Sequence, residues 1–412
     1  MSRTLPETVG AVAELQGLYG PFSFSEKLLQ KIWLKGDFDR SRIVDTTGAR
    51  VRVLHPGRWN LLGGPDFKDA RLRFDDGGEV IGDVELHLRA TDWEAHAHVR
   101  DPAYDRVVLH VVLFPPASGH VTRSADGRAI PVVALLPWLH HDLEEYAAEE
   151  VVETLANRPA ARILEVLGPL TPAVRAALLQ DHAEQRWRQK VRFARLRIER
   201  LGWDEACHQT ALEILGYRFN RAPMLRIAGA QPLAAWRASE FSSEAVFETE
   251  RGGWSLQGLR PANHPRRRLQ QYAEWVSRRP TWPDTLRVAR KWIQRAEPEW
   301  GAAEARRRLR LGELRERLRE EIGAGAVGGT RFENLVCDGF WPLLAAGGAD
   351  DLQPYWRHWF VGDVPPVLAK ALRELGVFDG RLQPACHGAV QGLLGWLIAQ
   401  ETQRAVTPGR GA

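Results

Sequence analysis

Two acidic residues and a histidine lie in the first quarter of the chain at positions suited to metal chemistry. Asp66 follows two glycines and a proline in "GGPDFKDARLRF", at the predicted start of a β-strand. In "GDVELHLRA", the two-residue period of a strand puts Asp83, Glu85, His87 and Arg89 on one face. Unpaired charge is unfavourable inside an apolar sheet, so this polar face needs a specific partner.

A cation is one such partner. If the strand that begins at Asp66 pairs with the strand of Glu85, the two carboxylates converge and repel each other unless a proton or a cation lies between them. Carboxylates and carbonyls are preferred ligands of Mg²⁺ and Mn²⁺, so the pair predicts a site for one of these ions. The alternative is that Asp66 only caps a turn.

These residues resemble the motif of the PD-(D/E)xK nuclease superfamily. Pro65-Asp66 supplies the "PD", and Glu85-Leu86-His87 supplies the acid-x-base triplet. The predicted order of helix, strand, hairpin and strand is also similar to that superfamily, whose first helix often contributes another acid. Glu26, in "SEKLLQKIW", is the candidate for that acid.

The resemblance implies that Asp66, Glu85 and the Leu86 backbone carbonyl hold a metal ion that activates water for attack on a phosphoryl group. His87 stands where the superfamily usually has lysine. Histidine can orient water or donate a proton, but it is fully charged only below about pH 6.5. We therefore retain, as an alternative, a nucleic-acid-binding module that has the nuclease scaffold without its chemistry.

A longer set of motifs resembles a bacterial family of uncharacterised proteins classed as a domain of unknown function. The family has no assigned activity, so this resemblance implies no function of its own. The motifs are "HPGRWNLLGGPDF" (55–67), "GDVELHLRATDWEAHAHVRDPAYDRVVLHVV" (82–112), "GYRFNRAPM" (216–224), "RPANHPRRRLQQYA" (260–273) and "GFWPLL" (339–344).

Three further histidines are candidate ligands. His96 and His98 form a His-x-His pair, which can bind zinc or another transition metal from a strand or an extended loop. "TDWEAHAHV" also has helical character, and residues two apart on a helix do not face each other, so we favour surface contacts or a polar network. His110, among valines, is either a core histidine or a neighbour of His87.

Arg266, Arg267 and Arg268 begin a predicted helix after "ANHP". Arginines at a helix start oppose the helix dipole, which makes an anionic partner such as nucleic acid a candidate. The alternative is a structural role in pairing with carboxylates.

The periodicity of the chain predicts three regions: an arm (1–22), a nuclease-like domain (23–140) and a helical domain (150–412). A helix capped by Ser25 precedes strands in "ARLRF", "EVIGDVELHLRA", "RVVLHVVLF" and "AIPVVALL". After residue 137 the period becomes helical, and the tryptophans there are expected to be core residues. The predicted fold class is α+β or α/β, with a restriction-endonuclease-like mixed sheet followed by helices.

The amino-acid composition limits the classes of protein to which the chain can belong. The 412 residues are 44% hydrophobic and 26% charged, as in soluble globular proteins, and the net charge is +4. The three cysteines show no CxxC spacing, and the chain has no signal peptide, long apolar run, P-loop or nucleophile elbow. We therefore expect a cytoplasmic protein without a membrane segment. The leading hypothesis is a metal-dependent nuclease.

Overall fold

The computed structural model describes residues 12–17, 20–60, 63–75, 77–140, 143, 146–147, 150, 160–238, 241–251, 253–254, 256, 261–295, 300–348, 352–380 and 383–406. The chain forms two compact units, of which the first (N-terminal) comprises Met1–Glu150 together with Glu401–Ala412 and the second (C-terminal) comprises Val151–Gln400. The fold is α+β: the N-terminal unit holds a mixed β-sheet, and the C-terminal unit is helical. No helix among the described residues is both long enough and apolar enough to cross a membrane.

The described residues of the N-terminal unit form ten strands. A hairpin of β1 (Val12–Gly17) and β2 (Gly20–Ser25) occupies the end of the predicted arm (1–22) and extends three residues beyond it. The central sheet has the order β10-β7-β6-β5-β3, with β4 paired to β5. Its strands are β3 (Val51–His55), β4 (Arg58–Trp59), β5 (Phe67–Phe74), β6 (Glu79–His87), β7 (Val107–Val112) and β10 (Val132–Ala134). The remaining pair is β8 (Thr122–Arg123) with β9 (Ala129–Ile130).

The direction of the strands changes at β6. The neighbours β3, β5 and β6 are antiparallel, as expected for strands joined by short turns. In contrast, β7 is parallel to β6 and β10 is parallel to β7. The β6-to-β7 connection contains the short helix α2 (Asp92–Ala95) and two 3₁₀ turns, His98–Arg100 and Pro102–Tyr104. These segments return the chain to the end of the sheet at which β6 begins, so that β7 runs parallel to β6.

One apolar face of the sheet packs on α1 (Glu26–Lys35). The Ser25 hydroxyl accepts a hydrogen bond from the Leu28 amide, which confirms the predicted helix cap. The buried apolar residues of α1 and β6, with the residue that directly follows β6, belong to one cluster: Leu28, Leu29, Ile32, Trp33, Val84, Leu86 and Leu88. Since these β6 residues alternate with Glu85 and His87, the two polar side chains lie on the other face.

The C-terminal unit begins in the described part with α3 (Ala161–Leu167). The predicted helix in "HDLEEYAAEEVVETLANR" (141–158) lies largely outside the described residues. The remaining helices are α4 (Pro172–Leu201), α5 (Trp203–Ala230), α6 (Leu233–Trp236), α7 (Ser243–Thr249), α8 (Pro265–Arg278), α9 (Trp282–Ala289), α10 (Ala302–Arg308), α11 (Leu311–Arg317), α12 (Gly329–Asn334), α13 (Trp341–Ala346), α14 (Gln353–His358), α15 (Pro366–Glu374) and α16 (His387–Val406).

Tryptophans form much of the core of this unit. Trp275, Trp282, Trp341, Trp356 and Trp359 are completely buried within one apolar cluster. Their large surfaces allow short helices to bury enough apolar area to pack together. The prediction that these tryptophans are core residues is confirmed.

A close approach of β6 to β7 requires a glycine at position 82. A β-carbon there would lie 2.8 Å from the Arg106 carbonyl oxygen and 2.3 Å from a Val108 methyl. We expect Gly82→Ala to lower the free energy of unfolding by about 1–3 kcal/mol, because the β6 backbone would have to move away from Arg106 and Val108 to make room for the methyl group. Gly78→Ala, in the preceding turn where a β-carbon meets nothing within 4 Å, is the matched control. Equal urea midpoints for the two variants would contradict this packing.

A buried histidine should make the C-terminal unit sensitive to acid. The Tyr272 hydroxyl lies 2.7 Å from His208 Nδ1, and His208 Nε2 lies 2.9 Å from the Gln231 carbonyl oxygen. Because a carbonyl only accepts, Nε2 donates and Nδ1 accepts from the tyrosine. Burial, aided by the charge of Arg237, lowers the pKa of His208 from 6.5 to about 4.

The sign of the pH effect follows from that shift. Between pH 6.5 and about 4 the unfolded chain binds the extra proton, so His208 stabilises the fold above pH 6.5 and this stability is lost as the pH falls. We expect His208→Gln to flatten the dependence of unfolding free energy on pH by about 1.4 kcal/mol per pH unit in this window. Urea unfolding at several pH values measures it, and an unchanged slope would rule out this contribution.

Candidate functional site

The loop before β5 positions Asp66. Gly64 has φ +94°, a conformation that favours glycine, and it turns the chain into Pro65. The Asn60 side-chain amide donates to the carbonyl oxygens of Gly63 and Pro65, at 3.2 and 2.9 Å. The loop is therefore held from inside by an asparagine, and the Asp66 carboxylate is free to bond elsewhere.

Asp66 joins three elements rather than capping its own turn. Its Oδ2 accepts a hydrogen bond from the Leu86 amide at 3.0 Å, and its own amide donates to Glu85 Oε2 at 2.9 Å. Its Oδ1 accepts from the Gln30 side chain of α1 at 2.6 Å. Asp66 therefore does more than cap its own turn, because its carboxylate and amide bond to α1 and β6.

The carboxylates of Glu26, Asp66 and Glu85 form one acidic cluster. Glu26 and Glu85 are buried, and Asp66 is partly buried. Burial, followed by the neighbouring Glu85 charge, raises the pKa of Asp66 to about 8. Burial, with the charge of Glu26, raises the pKa of Glu85 to about 8. A cation beside these groups would restore their ionised form at neutral pH.

The Leu86 carbonyl faces the same edge of β6 as Asp66. In an extended strand the N–H and C=O of one residue point to the same side, and the Leu86 N–H points to Asp66. The three oxygen groups named by the nuclease resemblance thus lie around the first residues of β5. Sequence analysis did not identify Gln30, although its position four residues after Glu26 places both on one helix face.

Three histidine rings converge beside Glu85, and two of them contact its other oxygen. His87 Nε2 lies 3.2 Å from His96 Nδ1 and 3.2 Å from His98 Nε2. Glu85 Oε1 lies 3.5 Å from His87 Nε2 and 3.3 Å from His98 Nε2. The three nitrogens lie within 4.8 Å of one another, close enough to hold a metal ion. We call these four residues the histidine cluster.

A short helix and one unusual residue bring His96 and His98 together. The expectation that a helix extends through both histidines is wrong, because α2 ends at Ala95. Ala97 has φ +59°, in the left-handed region, and the chain resumes as a 3₁₀ turn at His98. This reversal turns both imidazoles towards His87, which residues two apart on a continuous helix cannot do.

A chain of side chains continues from His87 into the sheet. His87 Nδ1 lies 2.9 Å from His110 Nε2, and His110 Nδ1 lies 2.9 Å from the Thr122 hydroxyl. That hydroxyl is 3.3 Å from His120 Nε2. His110 thus neighbours His87, the second of the two arrangements considered for it. Thr122 and His120 were not predicted, since β8 is too short to be evident in the sequence.

Burial keeps the inner histidines neutral. It lowers the pKa of His87 to about 2, with the other histidines adding to the effect, and that of His110 to about 3. The pKa of His98 falls to about 4 for the same reason. His96 is exposed, so the cluster reaches solvent on that side. At neutral pH, His87, His98 and His110 therefore offer lone pairs rather than positive charge.

The arginines of "NHPRRR" have different environments within the C-terminal unit. Arg266 is exposed, lies 3.1 Å from the Glu244 carboxylate and stacks on the Phe247 ring. Arg268 is buried and donates to the Asn263 side chain at 2.8 Å. Arg267 is exposed. The contacts of Arg266 favour the structural alternative of pairing with a carboxylate, whereas Arg268 bonds to amide side chains.

Comparison with known families places the site in a wider group of proteins. Residues 26–248, more than half of the chain, match a family described as protein of unknown function (DUF2851). The chain belongs to this family. The matched segment contains every residue of the acidic cluster and the histidine cluster. No curated protein matches the chain, and no solved structure matches it.

The conformation of Ala97 can be tested by substitution. A β-branched residue at positive φ is strained by about 1–3 kcal/mol, whereas glycine is not. We therefore expect Ala97→Val to lower the unfolding free energy by that amount and Ala97→Gly to preserve or raise it, as measured by urea unfolding. If valine were tolerated as well as glycine, the reversal between His96 and His98 would not need a left-handed residue.

Proposed function

We propose that the protein is a metal-dependent phosphodiesterase that cleaves nucleic acid, with Asp66 and Glu85 holding Mg²⁺ or Mn²⁺. The observation that carries this proposal is the reciprocal bonding of the two acids. Each carboxylate accepts a backbone amide at or beside the other residue, and both have pKa values raised to about 8. Two such groups held together favour a cation between them.

The order of the elements supports the same assignment. α1 carries Glu26, the antiparallel pair β5 and β6 carries Asp66 and Glu85, and a further strand, β7, follows. This is the order and placement of acids implied by the resemblance to PD-(D/E)xK nucleases. Polymeric nucleic acid is the natural substrate class for such a site.

Each residue has a distinct role in the proposed reaction. A divalent ion held here would activate a water molecule and stabilise charge on a phosphoryl oxygen. Asp66, Glu85 and the Leu86 carbonyl supply the oxygen ligands, and Glu26 adds negative charge beside them. His87, 3.5 Å from Glu85, is kept neutral by burial and therefore cannot provide a lysine-like charge.

That neutral histidine also supports a second candidate, a nucleic-acid-binding module without catalysis. Superfamily members usually place a cationic lysine where His87 stands, and burial keeps His87 uncharged. Such a module would bind nucleic acid with strong salt dependence and without a need for metal.

Under both proposed functions we place the protein in the cytoplasm, because Cys207, Cys337 and Cys386 are all unpaired.

A cleavage assay tests the proposed activity. Purified protein is given single-stranded, duplex and branched DNA and RNA with Mg²⁺ or Mn²⁺, and product is measured over time. We expect Asp66→Asn and Glu85→Gln to reduce cleavage by at least about 100-fold. Mutation of residues that only support a metal ligand already lowers activity by about 10–100-fold, and these two residues are proposed as ligands themselves.

Glu79→Gln provides the matched control. Glu79 is exposed at the opposite end of the same strand, about 20 Å from Glu85, and lies 3.5 Å from Arg71. This variant should cleave at the wild-type rate. Equal cleavage by wild type and Asp66→Asn would refute the carboxylate mechanism, and metal-independent binding without cleavage would favour the second candidate.

A further inference from the structure

The distances within the histidine cluster match the edges of a metal coordination polyhedron. For a tetrahedral zinc ion with ligands at about 2.0–2.1 Å, neighbouring ligand atoms are about 3.3–3.4 Å apart. His87 Nε2 lies 3.2 Å from both His96 Nδ1 and His98 Nε2, and the three nitrogens all lie within 4.8 Å of one another. Glu85 Oε1 lies 3.5 Å from His87 Nε2 and 3.3 Å from His98 Nε2. The three histidines are therefore placed as ligands of one ion, and the Glu85 carboxylate lies beside two of them.

A cation accounts for this convergence more fully than hydrogen bonds do. A neutral imidazole has one N–H donor and one acceptor nitrogen. His87 Nε2 approaches two ring nitrogens and one carboxylate oxygen, and its one hydrogen or one lone pair forms only one well-directed hydrogen bond among the three. A cation between the histidines uses the lone pairs of all three ring nitrogens at once.

The hydrogen bonds behind His87 favour the form that binds metal. If His87 Nδ1 carries the proton, it donates to His110 Nε2, and His110 Nδ1 donates to the Thr122 hydroxyl. The Thr122 hydroxyl can then donate to His120 Nε2. His110 and Thr122 then each donate one hydrogen bond and accept one, and the Nε2 lone pair of His87 faces the cluster. A partner of this kind orients most histidine ligands in proteins.

We propose that His87, His96 and His98 form a binding site for a first-row transition metal ion, with Zn²⁺ as the ion that fits the donors best. Three imidazoles match the ligand set of a zinc site that keeps its fourth position open, whereas Mg²⁺ prefers oxygen ligands and retained water. Exposed His96 provides the route by which an ion enters. This site is distinct from the proposed Mg²⁺ or Mn²⁺ position, although the Glu85 carboxylate lies beside both.

The donor geometry leads to a direct measurement. Full-length protein without an affinity tag is purified and its metal content is determined by mass spectrometry. We expect about one equivalent of zinc, or of another first-row transition metal, per chain. His96→Gln and His98→Gln should each lower that content at least tenfold. His55→Gln, an exposed histidine on β3, should leave it unchanged.

Asp66→Asn separates this inference from the proposed nuclease. The Asp66 carboxylate is bonded to Gln30 and Leu86, so this variant should keep its zinc while losing cleavage. Zinc without cleavage in wild-type protein would refute only the nuclease. Cleavage without a bound transition metal would refute only the histidine cluster as a metal site.

Cobalt provides a second readout that does not depend on a variant folding. Apo wild-type protein titrated with Co²⁺ should develop the visible absorption of a tetrahedral Co²⁺ centre, and Zn²⁺ should abolish it. Far-ultraviolet circular dichroism checks that each variant is folded. If the protein contains no transition metal as isolated and shows no such absorption with Co²⁺, the proposal is overturned, as it is if the histidine variants retain wild-type metal content.

Discussion

The geometry of the N-terminal unit depends on the two hydrogen bonds that join Asp66 to Glu85 and to Leu86 across the start of β5 and the end of β6. The ladder between these strands is irregular between Phe67 and Ala70, so backbone pairing alone does not hold the end of β5 in place. The Asp66 amide bonded to Glu85 and the Leu86 amide bonded to Asp66 replace the missing ladder bonds. The same two bonds hold both carboxylates at the same level along the paired strands, and Gln30 ties the Asp66 carboxylate to α1.

Polar groups placed this deeply require partners on every side. One face of β6 buries valine and leucine against α1, and the other buries Glu85 and His87 beneath the segment around Trp93, Tyr104 and His98. An unpartnered charge or imidazole in such a setting would destabilise the fold by several kcal/mol. The line of contacts from Asp66 to His120 is the means by which the sheet accommodates them. Polar groups retained in a core at this cost are typical of functional sites.

Glu85 connects the two proposed metal positions. Its Oε2 accepts the Asp66 amide on the side of the acidic cluster, and its Oε1 faces His87 and His98. A carboxylate that divides its oxygens in this way can bind one ion by itself or bridge two ions. The hard oxygen donors and the softer imidazole donors thus lie on opposite sides of one residue.

Local sequence patterns determined much of this arrangement. Alternation in "GDVELHLRA" put Glu85 and His87 on one face, the "DDGG" turn paired β5 with β6, and the Ser25 cap began α1, because each depends only on neighbouring residues. Tertiary structure alone decided the rest. Local preference favoured a helix through His98, but packing against His87 ends it at Ala95 and turns Ala97 left-handed. Gln30, Thr122 and His120 join the site from distant segments, because only the folded sheet brings them within hydrogen-bond distance of its histidines and acids.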